Sequence, residues 1–483
     1  MGTDSLDLKY RALAAVVYLG SKRILLQIIF TFSNIILARL LFPEDFGAFA
    51  VVGFATTFFL VFCDLGFAPA IVQKKGRVYL EELKTAFTFQ LFLIVIVFAV
   101  IYVVSPGVSD FFNLGEQGVR LFRIYSLYLF FLPFKTTSGA ILERNLDYRK
   151  LVIVEVLDVF VASVVSISGA LAGLGVFSFV AGGLAGHFFG ATFYFLMAPW
   201  RLGLSFSKKA LLRLAKFGLP YQSNLALGLF WGPLVLLYLG KVVGNENLGF
   251  FQFAASLAVL PLAVSEIVNR LIFPLGSRLQ ADKDTFRKII ERSLVVVSIT
   301  TLPLLAIALA SAREIIHFVY TDKWLPSLPA LYFGLMQTSI IAYTGVFSQL
   351  LLARGRAKYL RNMALVWAIL TWTVAPPLIS KFNFVGMNLT GILVSLSGIW
   401  LFIKLRKEIE FSISKNILPY FVSATIAGLL VFGLLRVLPY LFVSLFAAVV
   451  LGFLTFFAFV MFFARRAFIE NFRFILDLVV RRK

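Results

Sequence analysis

The sequence predicts an all-α integral membrane protein of about 14 transmembrane helices, arranged as two pseudo-symmetric six-helix lobes followed by two C-terminal helices. Composition is the first reason: of 483 residues, 60% are hydrophobic and 14% charged, and the mean hydropathy is +0.93. Soluble domains carry roughly 25% charged residues. The second reason is that apolar runs of about 20 residues recur along the whole chain, and each can cross a bilayer as an α-helix.

The third reason is an internal repeat centred on the stretch 37–75. The segment 241–270 aligns with this stretch at a constant offset of 202 residues. The offset places Arg39 on Lys241, Glu44 on Glu246, Gly47 on Gly249, Phe49 on Phe251 and Asp64 on Glu266. Internal symmetry in a many-helix membrane protein is typical of transporters, in which two homologous halves move about a site between them.

The apolar runs define the predicted spans and domains. In chain order the spans are 24–42, 46–69, 85–104, 121–142, 151–173, 177–197, 218–240, 249–275, 294–312, 328–353, 359–379, 385–403, 417–438 and 440–463. The repeat places an N-terminal lobe at 1–217, a C-terminal lobe at 218–404, and the last two helices with a basic amphipathic tail at 405–483. The basic link 200–217 is the predicted boundary between lobes, and both this link and the tail have the pattern of helices lying on a membrane surface.

The Lys and Arg residues are concentrated in the links between the predicted spans. The six even-numbered links are basic, whereas the odd-numbered links carry few Lys or Arg residues. Cytoplasmic loops are enriched in Lys and Arg, so the alternation predicts that both termini lie in the cytoplasm, with the protein in the cytoplasmic membrane. The net charge of +21 therefore indicates orientation, and no nucleic-acid partner is expected.

Charged residues inside predicted spans are the candidates for a functional site, because each costs about 2.5–3.5 kcal/mol to insert at the helix centre. Lys22, Arg23, Lys135 and Arg270 form the predicted cationic substrate site, where ammonium and guanidinium groups would hold phosphate oxygens. The alternative for the first three is that they extend to lipid headgroups. The alternative for Arg270 is a local ion pair with Glu266, four residues earlier.

The acidic residues in the spans have two interpretations. Asp64 and Glu266 occupy equivalent places in the two repeats, which predicts either a coupling-ion site or pairing between the lobes. Glu155 and Asp158 are expected to neutralise a basic loop nearby. His187 is expected to be a hydrogen-bonded interior residue, with proton coupling as the lesser alternative.

The chemistry of enzymes is not indicated by the sequence. The chain has one cysteine, Cys63, and no Walker loop, no HExxH and no nucleophile elbow. No outer link is long enough for a catalytic domain. We therefore expect no catalytic residue, no metal and no cofactor.

Seven motifs are spread along the chain: LARLLFPEDFG, DLGFAPAIVQKK, SGAILERNLDYRKLVIVE, ALAGLGVFSFVAG, AKFGLPYQSN, NENLGFFQFA and NRLIFPLGSRLQAD. Together they resemble the polysaccharide-exporter family of the multidrug, oligosaccharidyl-lipid and polysaccharide flippase superfamily. The resemblance implies two six-helix lobes around a cationic cavity that opens alternately to the two sides. It also implies that the protein flips a polyprenyl-pyrophosphate-linked oligosaccharide for O-antigen, capsule or exopolysaccharide assembly.

The implied partners are that lipid-linked glycan, membrane lipids and the polysaccharide polymerase machinery. The related lipid II flippases keep essential arginines in the first helix and around the cavity, and Lys22, Arg23, Lys135 and Arg270 lie in comparable regions here. The alternatives are a multidrug or metabolite exporter of the same superfamily, or a polysaccharide polymerase or ligase.

Overall fold

The structure is a computed structural model that describes residues 3–74, 76–230, 232–279, 282–465 and 468–469. The side chains of residues 3–20 and of several positions between 224 and 279, Arg270 among them, are outside this description. The predicted C-terminal tail also lies almost entirely outside the described residues. The described chain is helical and contains no strand.

The helices, in chain order, are α1 (Thr3–Leu40), α2 (Pro43–Cys63), α3 (Phe67–Gln73), α4 (Leu80–Phe111), α5 (Gly115–Tyr125), α6 (Leu132–Arg144), α7 (Tyr148–Leu171), α8 (Phe177–Met197), α9 (Lys208–Gly228), α10 (Pro233–Ala258), α11 (Leu262–Leu279), α12 (Lys283–Ile315), α13 (Leu328–Ala353), α14 (Ala357–Phe382), α15 (Val385–Leu396), α16 (Ile399–Glu408), α17 (Ser414–Val437) and α18 (Phe442–Phe463). A 3₁₀ segment, Ser126–Phe131, connects α5 to α6.

Within the described residues, 11 helices or helix pairs are long and apolar enough to span a membrane. The other three predicted spans, 121–142, 218–240 and 249–275, are interrupted. The first changes to 3₁₀ geometry before Pro133, the second breaks before Pro233, and the third breaks at Pro261. Because proline has no backbone N–H and clashes with the preceding turn, it ends or bends a helix at these points. The all-helical membrane fold is confirmed, whereas the count of 14 is not.

The two repeats meet where α2 begins and just after the kink of α10 at Gly244. An ideal Cβ on Gly47 would lie 1.7 Å from the carbonyl oxygen of Asn245, and one on Gly249 would lie 1.9 Å from that of Pro43. The sequence offset of 202 relates Gly47 to Gly249 and Pro43 to Asn245, so each repeat contributes the same two positions. We call this reciprocal contact the glycine clasp. Only glycine lets the two backbones approach so closely.

Small residues also bring α7 and α8 together. An ideal Cβ on Gly182 would lie 1.9 Å from the Ser166 hydroxyl oxygen and 2.5 Å from the Ala162 carbonyl oxygen. Gly186 and Gly190 face Asp158 of α7 in the same way. Small residues of this kind are favoured at interfaces between membrane helices because they let the backbones approach closely.

The chain forms two compact units, Met1–Gly249 and Phe250–Lys483. The core of the first includes Phe67, Ile71, Phe87 and Leu214, from α3, α4 and α9. That of the second is the larger set around Phe286, Leu294 and Leu350. α9 and the start of α10 belong to the first unit because Gly218 packs against the backbone of Leu65 and Gly66, and the glycine clasp holds Asn245. The lobe boundary after residue 217 stays a prediction.

Replacing Gly182 by leucine is expected to lower stability. The new side chain would overlap Ser166 and Ala162, and overpacking of this kind costs about 1–3 kcal/mol. Thermal unfolding of the purified protein measures the effect. The matched control is Gly433→Leu in α17, since no heavy atom lies within 4 Å of its ideal Cβ. Equal unfolding temperatures in the two variants would contradict the close α7–α8 contact.

The start of α12 is expected to depend on pH through Asp282. Its carboxylate accepts hydrogen bonds from the backbone N–H groups of Asp284 (3.0 Å) and Thr285 (3.3 Å). Hydrogen bonds from Thr285 lower the pKa of Asp282 below its ordinary value. A depressed folded-state pKa means that the stabilisation is present above the unfolded pKa and is lost as pH falls through the folded pKa.

Hydrogen exchange of the first turn of α12 should therefore accelerate at acid pH in the wild type. Asp282→Asn, which keeps an N-cap acceptor but does not titrate, should show no such acceleration. An identical pH profile in the two proteins would show that this carboxylate does not control the helix start.

Candidate functional site

Lys135 lies inside the helical bundle and is bonded to two other helices. Its Nζ forms an ion pair with the Asp158 carboxylate of α7 and lies 3.1 Å from Nδ1 of His187 in α8. Asp158 is about 15 Å along α7 from the helix start at 1.5 Å per residue, which is half of the hydrocarbon thickness of about 30 Å. The ammonium group is therefore held at depth by protein groups.

Lys22 forms the second ion pair, with Glu155 of α7. Helix α1 packs along α7, and Glu155 precedes Asp158 by three residues, so both carboxylates point from one face of that helix. The two carboxylates thus bring a lysine of α1 and a lysine of α6 to adjacent places. We call Lys22, Lys135, Glu155, Asp158 and His187 the α7 charge cluster.

The lysines of the α7 charge cluster remain partly accessible. The side chains of Lys22 and Glu155 are 23% and 29% exposed, and those of Lys135 and Asp158 are 17% and 16% exposed. A purely structural ion pair in a membrane protein would be expected to be sealed by its neighbours. The described side chains therefore do not fully enclose either lysine.

The glycines of α8 confine Asp158. Ideal Cβ atoms on Gly186 and Gly190 would each come within 2.9 Å of an oxygen of the Asp158 carboxylate. Side chains at these positions would displace the carboxylate from Lys135. The same glycines that permit close packing of α7 and α8 therefore make room for the charge.

Aromatic residues orient the rest of the cluster. An ammonium group has three donors and no acceptor, so Nδ1 of His187 accepts from Lys135, and the imidazole is neutral with its proton on Nε2. The ring of Tyr128 stacks on that of His187, with centroids 4.7 Å apart. The hydroxyl of Tyr194 donates to Glu155 over 3.4 Å. His187 and Glu155, which each contact a lysine, are thus each held by a tyrosine.

The structure places the other predicted site residues differently. Arg23 follows Lys22 in α1 and is half-buried, and the Arg270 side chain lies outside the described residues. Asp64 accepts hydrogen bonds from the N–H groups of Gly66 (2.9 Å) and Phe67 (3.3 Å), so its carboxylate orients the start of α3. Glu266 lies within α11. The role of Asp64 and Glu266 in coupling or lobe pairing stays a prediction.

Sequence reasoning assigned the acids of α7 to a different partner. Glu155 and Asp158 were expected to neutralise a basic loop, but the structure pairs them with Lys22 and Lys135 inside the bundle. The three-residue spacing gave one common face, but it did not show which helices pack there. Glu143 also lies close enough to Glu155 and Lys22 to interact electrostatically. Lys22 and Lys135 thus lie near three carboxylates, those of Glu143, Glu155 and Asp158.

The fold is shared with solved structures of other membrane proteins. The chain superposes on a solved structure of the lipid II flippase MurJ in an inward closed conformation with a TM-score of 0.78 at 15% identity, covering 94% of this chain and 100% of that one. It superposes on a multidrug resistance MATE family transporter of the MOP superfamily, in an inward-facing conformation, with a TM-score of 0.60 at 14% identity. This second match covers 79% of this chain and 95% of the transporter.

Comparison of the sequence identifies the family to which the chain belongs. The profile of a family described as polysaccharide biosynthesis protein matches residues 36–329, and the chain belongs to that family. A curated relative is the lipopolysaccharide biosynthesis protein WzxC of Escherichia coli (strain K12), which is 25% identical over 358 residues, or 72% of this chain and 69% of that protein. The chain is thus a multi-pass helical membrane protein of this polysaccharide biosynthesis family.

Proposed function

We propose that the protein moves a polyprenyl-pyrophosphate-linked oligosaccharide across the cytoplasmic membrane by alternating access, for the assembly of a surface polysaccharide. The observation that carries the proposal is the α7 charge cluster, in which Lys22 and Lys135 are held at adjacent, partly accessible places. Ammonium groups make strong charge-assisted hydrogen bonds to phosphate oxygens. The family membership and the name of WzxC support a substrate from polysaccharide assembly.

The charge of the substrate supplies a driving force. Moving one elementary charge across the membrane potential changes the free energy by about 2.3 kcal/mol per 100 mV. A pyrophosphate group leaving an inside-negative cell is driven outward, while the empty site returns without it. Export into sealed vesicles should therefore respond to an imposed potential, and indifference to it would require an ion gradient as the energy source instead.

The glycine clasp supports the alternating part of the mechanism. It joins the start of α2 to α10 just after the kink of α10 at Gly244, a region that the positive-inside pattern assigns to the outer face. In the proposed mechanism this contact is present when the outer side is closed. Release of a glycan outside requires the clasp to separate.

Deletion of the gene followed by lipid extraction tests the function. We expect lipid-linked oligosaccharide to accumulate in the cytoplasmic leaflet, and surface polysaccharide to fall. Complementation with the wild-type chain should reverse both changes, and complementation with Lys22→Ala or Lys135→Ala should not. Normal surface glycan together with altered sensitivity to drugs would instead identify an exporter of drugs or metabolites.

The partners and location follow from the same proposal. The glycan headgroup meets the α7 charge cluster while its polyprenyl tail stays in the lipid beside the helices. The product on the outer face is the substrate of the polysaccharide polymerase machinery. Both termini lie in the cytoplasm, as the distribution of Lys and Arg predicts.

A further inference from the structure

We infer that Glu155 and Asp158 are resident counter-anions: they hold Lys22 and Lys135 while the site is empty, and the two phosphate groups of a pyrophosphate-linked lipid displace them. The inference rests on the proposed function and deepens it, because it assigns two positioning residues and a preference for diphosphate over monophosphate headgroups. Each of the two lysines has one carboxylate of α7 as its ion-pair partner, and a pyrophosphate supplies one phosphate group for each lysine.

The energetics of buried ion pairs argue against a purely stabilising role. Replacing a buried ion pair by apolar residues of similar volume is often neutral or stabilising, because desolvation offsets the attraction. Two such pairs on one face of α7 therefore add little to stability that leucines could not supply. What they do supply is charge balance: a lysine left unpaired in the membrane is costly, and the carboxylates lower that cost in the absence of substrate.

The geometry fits exchange of one anion for another. The lysines come from α1 and α6, whereas both acids come from α7, so the cations can turn to a new anion without moving the carboxylates. Asp158 itself is confined by Gly186 and Gly190. Lys135 has its neutral acceptor His187 at 3.1 Å, which keeps one hydrogen bond in place during the exchange.

The exchange also explains selectivity for two phosphate groups. A monophosphate can replace one carboxylate and leaves the other pair intact, so it gains one new contact while it faces the remaining acid. A pyrophosphate replaces both. The carboxylates thus favour binding of the doubly phosphorylated headgroup over the monophosphate. They also pair with the lysines again when the headgroup leaves, which promotes its release.

Binding of undecaprenyl pyrophosphate and undecaprenyl phosphate to the protein in lipid nanodiscs tests the inference. The wild type should prefer the pyrophosphate. The double variant Glu155→Gln and Asp158→Asn should bind the pyrophosphate at least about tenfold more tightly, equivalent to about 1.4 kcal/mol, and export it more slowly because release is impaired. Glu155→Gln alone should show the same change to a smaller extent.

The matched control is Glu116→Gln, which removes a carboxylate from a surface pair with Arg120, whose side chains are 91% and 69% exposed. This variant should bind both lipids like the wild type. If the double variant is less stable, the shift in unfolding temperature caused by each lipid gives the same comparison. Unchanged or weaker pyrophosphate binding in the folded carboxylate variants would overturn the inference while leaving the flippase proposal intact, whereas a wild type that binds neither lipid would overturn both.

Discussion

Replacing Lys135 by methionine is expected to abolish export and to destabilise the protein by about 3–5 kcal/mol, because the Asp158 carboxylate then stays in the bundle without its ammonium partner. The double variant Lys135→Met and Asp158→Asn removes both charges, and its stability should recover. Export should not recover, because the cation that contacts phosphate is still missing. Thermal unfolding and surface polysaccharide, measured on the same three proteins, separate the two effects.

The matched control is Lys150→Met, which breaks the exposed pair of Lys150 with Asp147 (3.1 Å). Surface ion pairs contribute about 0–1 kcal/mol, so both stability and export should stay close to the wild type. Normal export by the uncharged double variant would show that Lys135 serves only the fold. An unchanged stability of Lys135→Met would show that Asp158 has another partner.

The fold class could be predicted because it follows from composition and periodicity, which do not depend on tertiary contacts. The helix breaks could not, because proline is tolerated in some membrane helices. Pro106 and Pro303 lie inside α4 and α12 without interrupting them, whereas the chain breaks at Pro261. Neighbouring helices decide whether the freed carbonyl groups are satisfied, and the sequence does not say which helices are neighbours.

Only some residues of the α7 charge cluster could be recognised from the sequence. Lys135 was recognisable as a charge within an apolar run, but its partner had to come from packing. A signal was present, since Gly186 and Gly190 flank His187 on α8 and leave space on the side facing α7. The hydrogen bonds of Asp64 at the start of α3 could not be read from the repeat either, and its shared role with Glu266 stays a prediction.

The glycine clasp gives a second prediction of large effect: Gly47→Leu should abolish export at normal protein level. Its Cβ would lie 1.7 Å from the Asn245 carbonyl oxygen, which belongs to backbone and cannot turn away. The start of α2 and the part of α10 after its kink must then separate, and a transporter that cannot restore this contact is expected not to alternate. Gly249→Leu should have the same effect, because the contact is reciprocal.

Cysteine labelling makes the separation measurable. Val51 is fully buried in α2 and lies 3.4 Å from the ideal Cβ of Gly240. In a Cys63→Ser background, Val51→Cys should resist a membrane-impermeant maleimide, and adding Gly47→Leu should expose it to the reagent in intact cells. Gly53→Leu in the same helix is the control, since no heavy atom lies within 4 Å of its ideal Cβ.

Two results would contradict this role of the glycine clasp. Normal export by Gly47→Leu would show that the end can close with a side chain in the contact, and so that the close approach is not required for transport. Loss of export without new labelling of Val51→Cys would show that the variant fails for a reason other than opening. The reciprocal positions sharpen the test, because an opening that follows Gly47→Leu but not Gly249→Leu would mean that the two repeats do not act as equivalent halves.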